Sequence, residues 1–531
     1  RDHQQSSPIN KILILNSDTL TFNVQQTPVK DENQLSLIDI SWDTGNYLFT
    51  WNWNNDSLVE DYEYYYEIKI GSNIRSGLVT GNIYMPLDQG LIEYFSIKAR
   101  KLASEDGDLF TYSESIAFSS QNPIQFNLFS EGNGTKDRPY VISSPEQFYA
   151  ISRRNTLGQE FYFKLDNNIE IDFAQMIKIV EGEEGQTIEF LIKDFYGHLD
   201  GGGYTITLAA NNVYDMDEGY SSSINGISGT TTFSKYFALF NSISSNASIS
   251  NLKISLNIDL DIAEEADINT IIAPLALYNY GQVDGVTINN LKIDTLTVAP
   301  EEYSYNIFVG GIVGINYGTI KNSRDDTTFN YDMPIKKHIN FAYAGICLFN
   351  ASERGMNGTI ENCYSSGSKS FTIKLNGNIA YGSGITLINN GSINKAGNDS
   401  NFTISSSASG TSRQAYFTGI SLSSAGGPLN YCYNNGVFTN QSNNVQTSFA
   451  GISYLISNGS IRYLVDTKGN KLVDSCTNAP ADYGVNYSSV GSGTSSKITT
   501  TALVATEISC GDDYFLKIQE VSGGFKAVIE M

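Results

Sequence analysis

The chain has 531 residues, a net charge of −23 and only 17% charged residues. Length on this scale allows two or more domains with cores of their own. The acidic balance argues against nucleic acid or an anionic membrane as partner, since both are bound through basic patches. No apolar stretch is long enough to span a bilayer, so no membrane insertion is expected. Thirty-three tyrosines and the low charge suggest a secreted, rigid β protein. The chain starts at Arg1 without a leader, which fits a processed mature protein or a trimmed one. Five cysteines in this length do not make a disulfide scaffold, although Cys476 and Cys510 are available to pair.

Residues 1–34 read as an extended arm. Ile12-Leu13-Ile14-Leu15, then Leu20, Phe22 and Val24 in alternation, predict one or two strands. Such a strand lies on the edge of the next domain, or is lent to a neighbouring copy through Leu20, Phe22 and Val24.

Residues 35–122 carry short alternating runs: Tyr47-x-Phe49-x-Trp51, then Tyr62 to Ile70, then Phe95-x-Ile97-x-Ala99. The pattern resembles a fibronectin type III domain. The resemblance implies an immunoglobulin-like sandwich that serves as a spacer. That family's corner tyrosine would fall at Glu93, where this chain has its tyrosine one place later, at Tyr94.

Residues 123–235 read as the start of a solenoid. Ser144-Pro145-Glu146-Gln147 is a helix start, with a Ser cap, Pro in the first turn and Gln closing a capping box. The helix should run to about Arg153 and cover the first coil, whose strand edges would otherwise be open. Residues from Asn211 to Thr232 read as a long insertion loop.

Residues 236–475 repeat. Gly311-Ile312 is followed by Gly318-Thr319-Ile320, Gly345-Ile346 by Gly358-Thr359-Ile360, Gly384-Ile385 by Gly391-Ser392-Ile393, and Gly451-Ile452 by Gly459-Ser460-Ile461. The leading positions 311, 345, 384, 419 and 451 are 34, 39, 35 and 32 residues apart. Two degenerate copies begin at Ala238-Leu239 and Ala273-Pro274. A period in this range signals stacked units. The units lack helix formers and consist of short apolar runs cut by Asn-Gly or Gly-Ser turns, so each predicts one coil of a parallel β-helix. Stacking places like positions about 4.8 Å apart and favours ladders of Ile, of Asn or of small residues. The residue after each leading position (Leu239, Pro274, Ile312, Ile346, Ile385, Ile420, Ile452) is expected inside, as is the column Ser323, Cys363, Ala396, Cys432, Leu464. Cys363 and Cys432 then lie two coils apart, too far for a disulfide.

Gly311-Ile312-Val313-Gly314-Ile315-Asn316-Tyr317-Gly318-Thr319-Ile320 resembles the GLUG motif of bacterial surface proteins, with Ile in place of its Leu. Phe195 to Ile206 resembles the coil that opens such arrays, and Gly134 to Phe148 the segment before it. The resemblance covers about residues 130–465. It implies a right-handed parallel β-helix on or outside a bacterial cell, a scaffold shared by adhesins, structural proteins and polysaccharide enzymes. Residues 476–531 leave the period and predict a hairpin at Gly523-Gly524, as a cap or docking segment. The whole chain therefore reads as all-β: an immunoglobulin-like β-sandwich followed by a capped right-handed parallel β-helix.

Polysaccharide enzymes need carboxylates in a groove. Those on offer are Asp200 and Arg324-Asp325-Asp326, and both segments read first as turn formers, the second in solvent, ahead of any catalytic role. Three histidines (His3, His198, His338) show no metal spacing. Asp215-x-Asp217-Glu218-Gly219 is a fragment of a calcium loop without its distal Glu; it reads first as an acidic loop and second as a calcium site, and no other cofactor is expected. One column two residues before the leading positions reads Tyr236, Ile271, Val309, Tyr343, Gly382, Phe417, Phe449. If period two sends it outward, it is a stripe where another domain, another subunit or a sugar face docks. If the strand is one residue out of register or bent, the same side chains point inward.

The expected role is an extracellular bacterial surface protein, structural or adhesive, as a subunit or decoration of a surface layer, sheath or filament. Its partners would be copies of itself, other surface components or polysaccharide. A monomeric carbohydrate-binding adhesin and a polysaccharide lyase or glycoside hydrolase are the alternatives.

Overall fold

The computed structural model describes residues between Leu37 and Glu530, apart from short segments and the longer stretches 102–115, 174–191 and 477–505. The chain divides into two compact units, residues 1–128 with 177–187, and residues 129–176 with 188–531. The expected arm, with Leu20, Phe22 and Val24, lies outside the described residues, as does Cys510.

The first unit contains two antiparallel sheets. One joins Leu37–Asp43, Leu48–Trp53 and Ile83–Tyr84; the other joins Asn73–Val79, Tyr62–Ile70, Gly90–Lys101 and Ile116–Phe118. Alternation along each strand sends Phe49 and Trp51 from one sheet, and Tyr64, Tyr66, Ile68, Phe95 and Ile97 from the other, into a shared core. Phe49 stacks on Phe95 at 4.2 Å, and Trp51 meets Tyr64 edge-on at 5.3 Å. Tyr94 turns the other way and donates its hydroxyl to Glu67.

The second unit is a parallel β-solenoid of the right-handed type. Its helix spans Pro145–Arg154, with Gln147 N–H on Ser144 Oγ and Gln147 Oε1 accepting from Ser143 N–H. Phe148 and Ile151 are sealed beneath it, and Phe148 packs on Phe240. Beyond the helix the rungs stack in register. Leu199, Ile249, Val283, Ile320, Ile360, Ile393, Leu429 and Ile461 form one column. Cys363, Ala396, Cys432 and Leu464 form another, also buried, so the two cysteines are two rungs apart and free.

Polar side chains hold the corners. Asn279, Asn316, Asn350 and Asn389 stack without solvent exposure, each Nδ2 donating to the next Oδ1 at 2.8–2.9 Å, and Asn389 donates to Ser424 Oγ. At another corner Asn251, Gly285, Asn322, Asn362, Lys395 and Tyr431 all take positive φ, because one left-handed residue per rung turns the chain into its next strand. The leading glycines stack too. A Cβ on Gly311 would lie 1.9 Å from Gly345 O, and one on Gly384 would lie 2.3 Å from Gly419 O. Rungs approach there too closely for any side chain.

Three expectations are corrected. First, Leu275, not Pro274, lines up with Ile312, because Leu275 N–H donates to Ile312 O. Second, the expected loop contains strand: Tyr214–Ser223 pairs antiparallel with the start of Thr230–Ile243. Asp215, Asp217 and Glu218 thus lie on a strand rather than in a calcium-type turn. Third, the aromatic stripe is two columns one residue apart. Tyr236 pairs with Ile271 and Ile271 with Phe308, whereas Ile272, Val309, Tyr343, Gly382, Phe417 and Phe449 form the adjacent column. Tyr236, Val309, Tyr343 and Phe417 are fully buried and Phe449 is half-buried. They do not form an exposed docking stripe.

Adjacent columns face opposite sides of the strand, and here both sides are apolar. On the inner side Phe417 packs on Phe371, Phe402 and Phe449, against a third sheet built from Phe329–Asp332, Ser368–Ile373, Asn401–Ser406 and Phe438–Asn440. On the other side Tyr236, Ile271, Phe308, Leu348, Tyr381 and Leu387 belong to a separate cluster. Phe233, from the hairpin inserted before it, closes on Phe308 and Phe349. At the far end of the chain, Thr506–Ser509, Phe515–Val521 and Gly524–Glu530 form an antiparallel sheet whose last two strands flank Gly523.

Candidate functional site

The densest chemistry surrounds Asp325. Alternation splits Arg324-Asp325-Asp326: Asp325 points inward and is fully buried, while Arg324 and Asp326 pair with each other at 3.2 Å on the partly exposed side. Asp325 Oδ1 accepts from the backbone N–H of Thr327 at 3.0 Å and from its hydroxyl at 2.7 Å. Asp325 Oδ2 accepts from Tyr343 Oη at 2.6 Å, Ser365 Oγ at 2.7 Å and Lys369 Nζ at 3.0 Å. Lys369 also donates to Ser400 Oγ at 2.9 Å and to the Ser366 carbonyl. The expected solvent-exposed turn is thus a closed polar core at its central residue. The reason is that both carboxylate oxygens of Asp325 are fully supplied with donors, two on Oδ1 and three on Oδ2, which offsets the cost of burial.

Burial pushes the Lys369 ammonium below its usual range, against the pull of Asp325. Burial also pushes the Tyr343 phenol well up, and the Asp325 charge adds to the rise. Tyr343 was expected on a docking stripe and instead serves this core. Lys369 was missed. Its signal was local: in Ser368–Ile373 it shares the inward face with Phe371 and Ile373, an unusual place for a lysine without a partner.

A second feature is a set of tyrosines associated with the outer cluster. Tyr280 stacks on Tyr317 at 5.3 Å, and Tyr278 on Tyr280 at 6.2 Å. Two to four rungs on, Tyr381 stacks on Tyr416 at 5.4 Å, and Tyr416 meets Tyr454 edge-on at 5.1 Å. Tyr278, Tyr280, Tyr416 and Tyr454 are half-buried, so each ring keeps part of its surface accessible. The pattern does not single out this set, because Tyr381 and Tyr416 directly precede Gly382 and Phe417 in strands that are apolar on both faces.

Asp200 lines an open cavity of about 530 Å3 with Lys164, Asp166, Tyr204 and Asn251. Its Oδ1 accepts from Gly202 N–H at 2.9 Å and Asn251 Nδ2 at 3.2 Å, which is turn chemistry. His198 stacks on Tyr162 and bonds Ser248 through Nδ1, and burial holds its imidazole below the usual range. His3 and His338 lie outside the described residues. Among the described residues no group of three His, Cys, Asp or Glu is placed to hold a metal.

No protein-family model matches the chain, and no curated protein matches it. Among solved structures, the chain is similar to a candidate immunoglobulin A1 protease from Bacteroides ovatus, at 16% identity over 61% of this chain and 87% of that one, with a TM-score of 0.34. It is also similar to an IgA1 protease, at 11% identity over 75% of this chain but only 28% of that one, with a TM-score of 0.31. Pectate lyase PelI from Erwinia chrysanthemi aligns over 79% of this chain and 99% of its own, at 11% identity and a TM-score of 0.11. Scores this low carry no argument about activity.

Proposed function

We propose that the chain is a non-enzymatic adhesive scaffold at or outside the cell surface, with the outer tyrosines docking the apolar faces of sugar rings. The first unit would serve as an immunoglobulin-like spacer. The observation that supports the reading is the tyrosine set: rings in contact from rung to rung, with Tyr416 and Tyr454 half-buried over a packed cluster that includes the fully buried Tyr381. Rigid aromatic rings suit sugar faces because little side-chain entropy remains to be lost on binding. The test is retention on a panel of neutral and acidic glycans. Tyr416→Ala with Tyr454→Ala should lose retention while the unfolding transition is kept. Unchanged retention by that double variant would sink the reading.

One observation favours an enzyme instead. The cavity at Asp200 brings Lys164, Asp166 and Tyr204 together in the open, a set that could serve proton transfer on a glycan. A screen for new reducing ends would support this second reading only if Asp200→Asn or Asp166→Asn abolished the release.

A further inference from the structure

We propose that Lys369 and Asp325 close an intramolecular amide bond inside the solenoid, tying two successive rungs covalently. Nζ of Lys369 sits 3.0 Å from Oδ2 of Asp325, and neither side chain is exposed. Asp325 belongs to the rung of Arg324–Asp325 and Lys369 to the next, where it lies opposite Phe329. An ammonium and a carboxylate enclosed together are costly, and passing one proton from Nζ to Oδ2 removes both charges at once. What remains is a neutral amine beside a carboxylic acid, with the chain holding the two in contact. Such enforced proximity replaces the entropy an intermolecular condensation would lose.

The surroundings give the two carboxyl oxygens different tasks. Oδ1 faces a backbone N–H and a hydroxyl, both from Thr327. These two donors stabilise the negative charge that gathers on Oδ1 when Nζ attacks Cγ. Oδ2 faces the hydroxyls of Tyr343 and Ser365, which can relay a proton from Nζ onto it. The Nζ–Cγ bond forms and the Cγ–Oδ2 bond breaks. Oδ2 departs as water with two of the three ammonium protons, and the third stays as the amide N–H. Nothing is oxidised or reduced, and no co-reactant is needed. Ser400 Oγ and the Ser366 carbonyl, which already accept from Nζ, hold it in line. The low position of the lysine pKa agrees with this geometry, since only the unprotonated amine attacks.

The experiment is the intact mass of the full chain, unfolded and reduced, followed by tryptic mapping. The expected result is a species one water lighter than the sequence mass. It should yield a branched peptide that joins the segment around Asp325 to the segment around Lys369, with trypsin no longer cutting after Lys369. Lys369→Arg and Asp325→Ala should restore the full mass. Tyr343→Phe should lower the cross-linked fraction in freshly made protein. Because such variants can also fail to fold, the unmodified chain decides the matter. Full sequence mass with normal cleavage after Lys369 overturns the proposal. So does a water loss that maps to an Asp-Gly step such as Asp200-Gly201.

Discussion

Nδ2 of Asn350 donates to Oδ1 of Asn389 at 2.8 Å, and both side chains are sealed from water. The same Asn350 accepts from Asn316 at 2.9 Å, so one residue links three rungs. Asn350→Leu would remove both bonds and leave a donor below and an acceptor above without their side-chain partner. An unsatisfied buried polar group costs about 1–3 kcal/mol. Urea unfolding should show a lower midpoint for Asn350→Leu, and a smaller loss for Asn389→Leu, whose upper partner is only a serine.

The leading glycines make a sharper prediction. A Cβ on Gly384 would meet Gly419 O at 2.3 Å and Asn398 Oδ1 at 2.4 Å. The first of these is backbone and cannot rotate away. Gly384→Ala should therefore destabilise the solenoid by ~1–3 kcal/mol or more, as overpacking does elsewhere. Gly203→Ala is the comparison, since its Cβ would meet nothing within 4 Å and its cost comes from a φ of +79° alone.

Lys395 occupies the left-handed corner that Asn322 and Asn362 fill in earlier rungs, with φ of 54° against 51° and 53°. A lysine there stores about 1 kcal/mol of backbone strain that asparagine or glycine largely avoids. Lys395→Gly and Lys395→Asn should raise the unfolding midpoint. An unchanged or lowered midpoint in both would show that the lysine side chain stabilises by as much as the strain or more.

Alkaline pH offers a test of the inner columns. Burial pushes the thiols of Cys347, Cys363 and Cys432 from 9.0 up to about 12. Between those values the unfolded chain has released protons that the folded chain still holds. Stability should therefore be unaffected by these thiols below pH 9 and fall above it. The slope is at most about 1.4 kcal/mol per thiol per pH unit. Replacing the three by Ala should flatten the decline. In the native chain the same thiols should also resist alkylation, since the thiolate is the reacting form.

Much of the solenoid was legible because a stacked rung repeats its own constraints. Ile320, Ile360 and Ile393 recur at one offset, and Cys363, Ala396 and Cys432 at another, so their columns and the distance between the two cysteines followed from spacing. The helix at Pro145 followed from its cap. The stripe was less tractable. Period two separates an inner from an outer face only when one of them is polar. Here Tyr343 faces in while Ala342 and Ala344 belong to the outer cluster, and a shift of one residue exchanges the two faces without any change in apolar pattern.

The polar core at Asp325 shows the same boundary. By itself, the sequence determined that rungs stack, which residues fill the inner ladders and where the chain turns, because each of these depends on residues at a constant offset. Only the tertiary structure decided that Asp325, Tyr343, Ser365 and Lys369 meet. Asp325 and Ser365 share the rung offset of Ile320 and Ile360, but Tyr343 and Lys369 come from other strands at no such spacing, and a buried charge is tolerated only where distant parts of the chain bring donors and acceptors to it together.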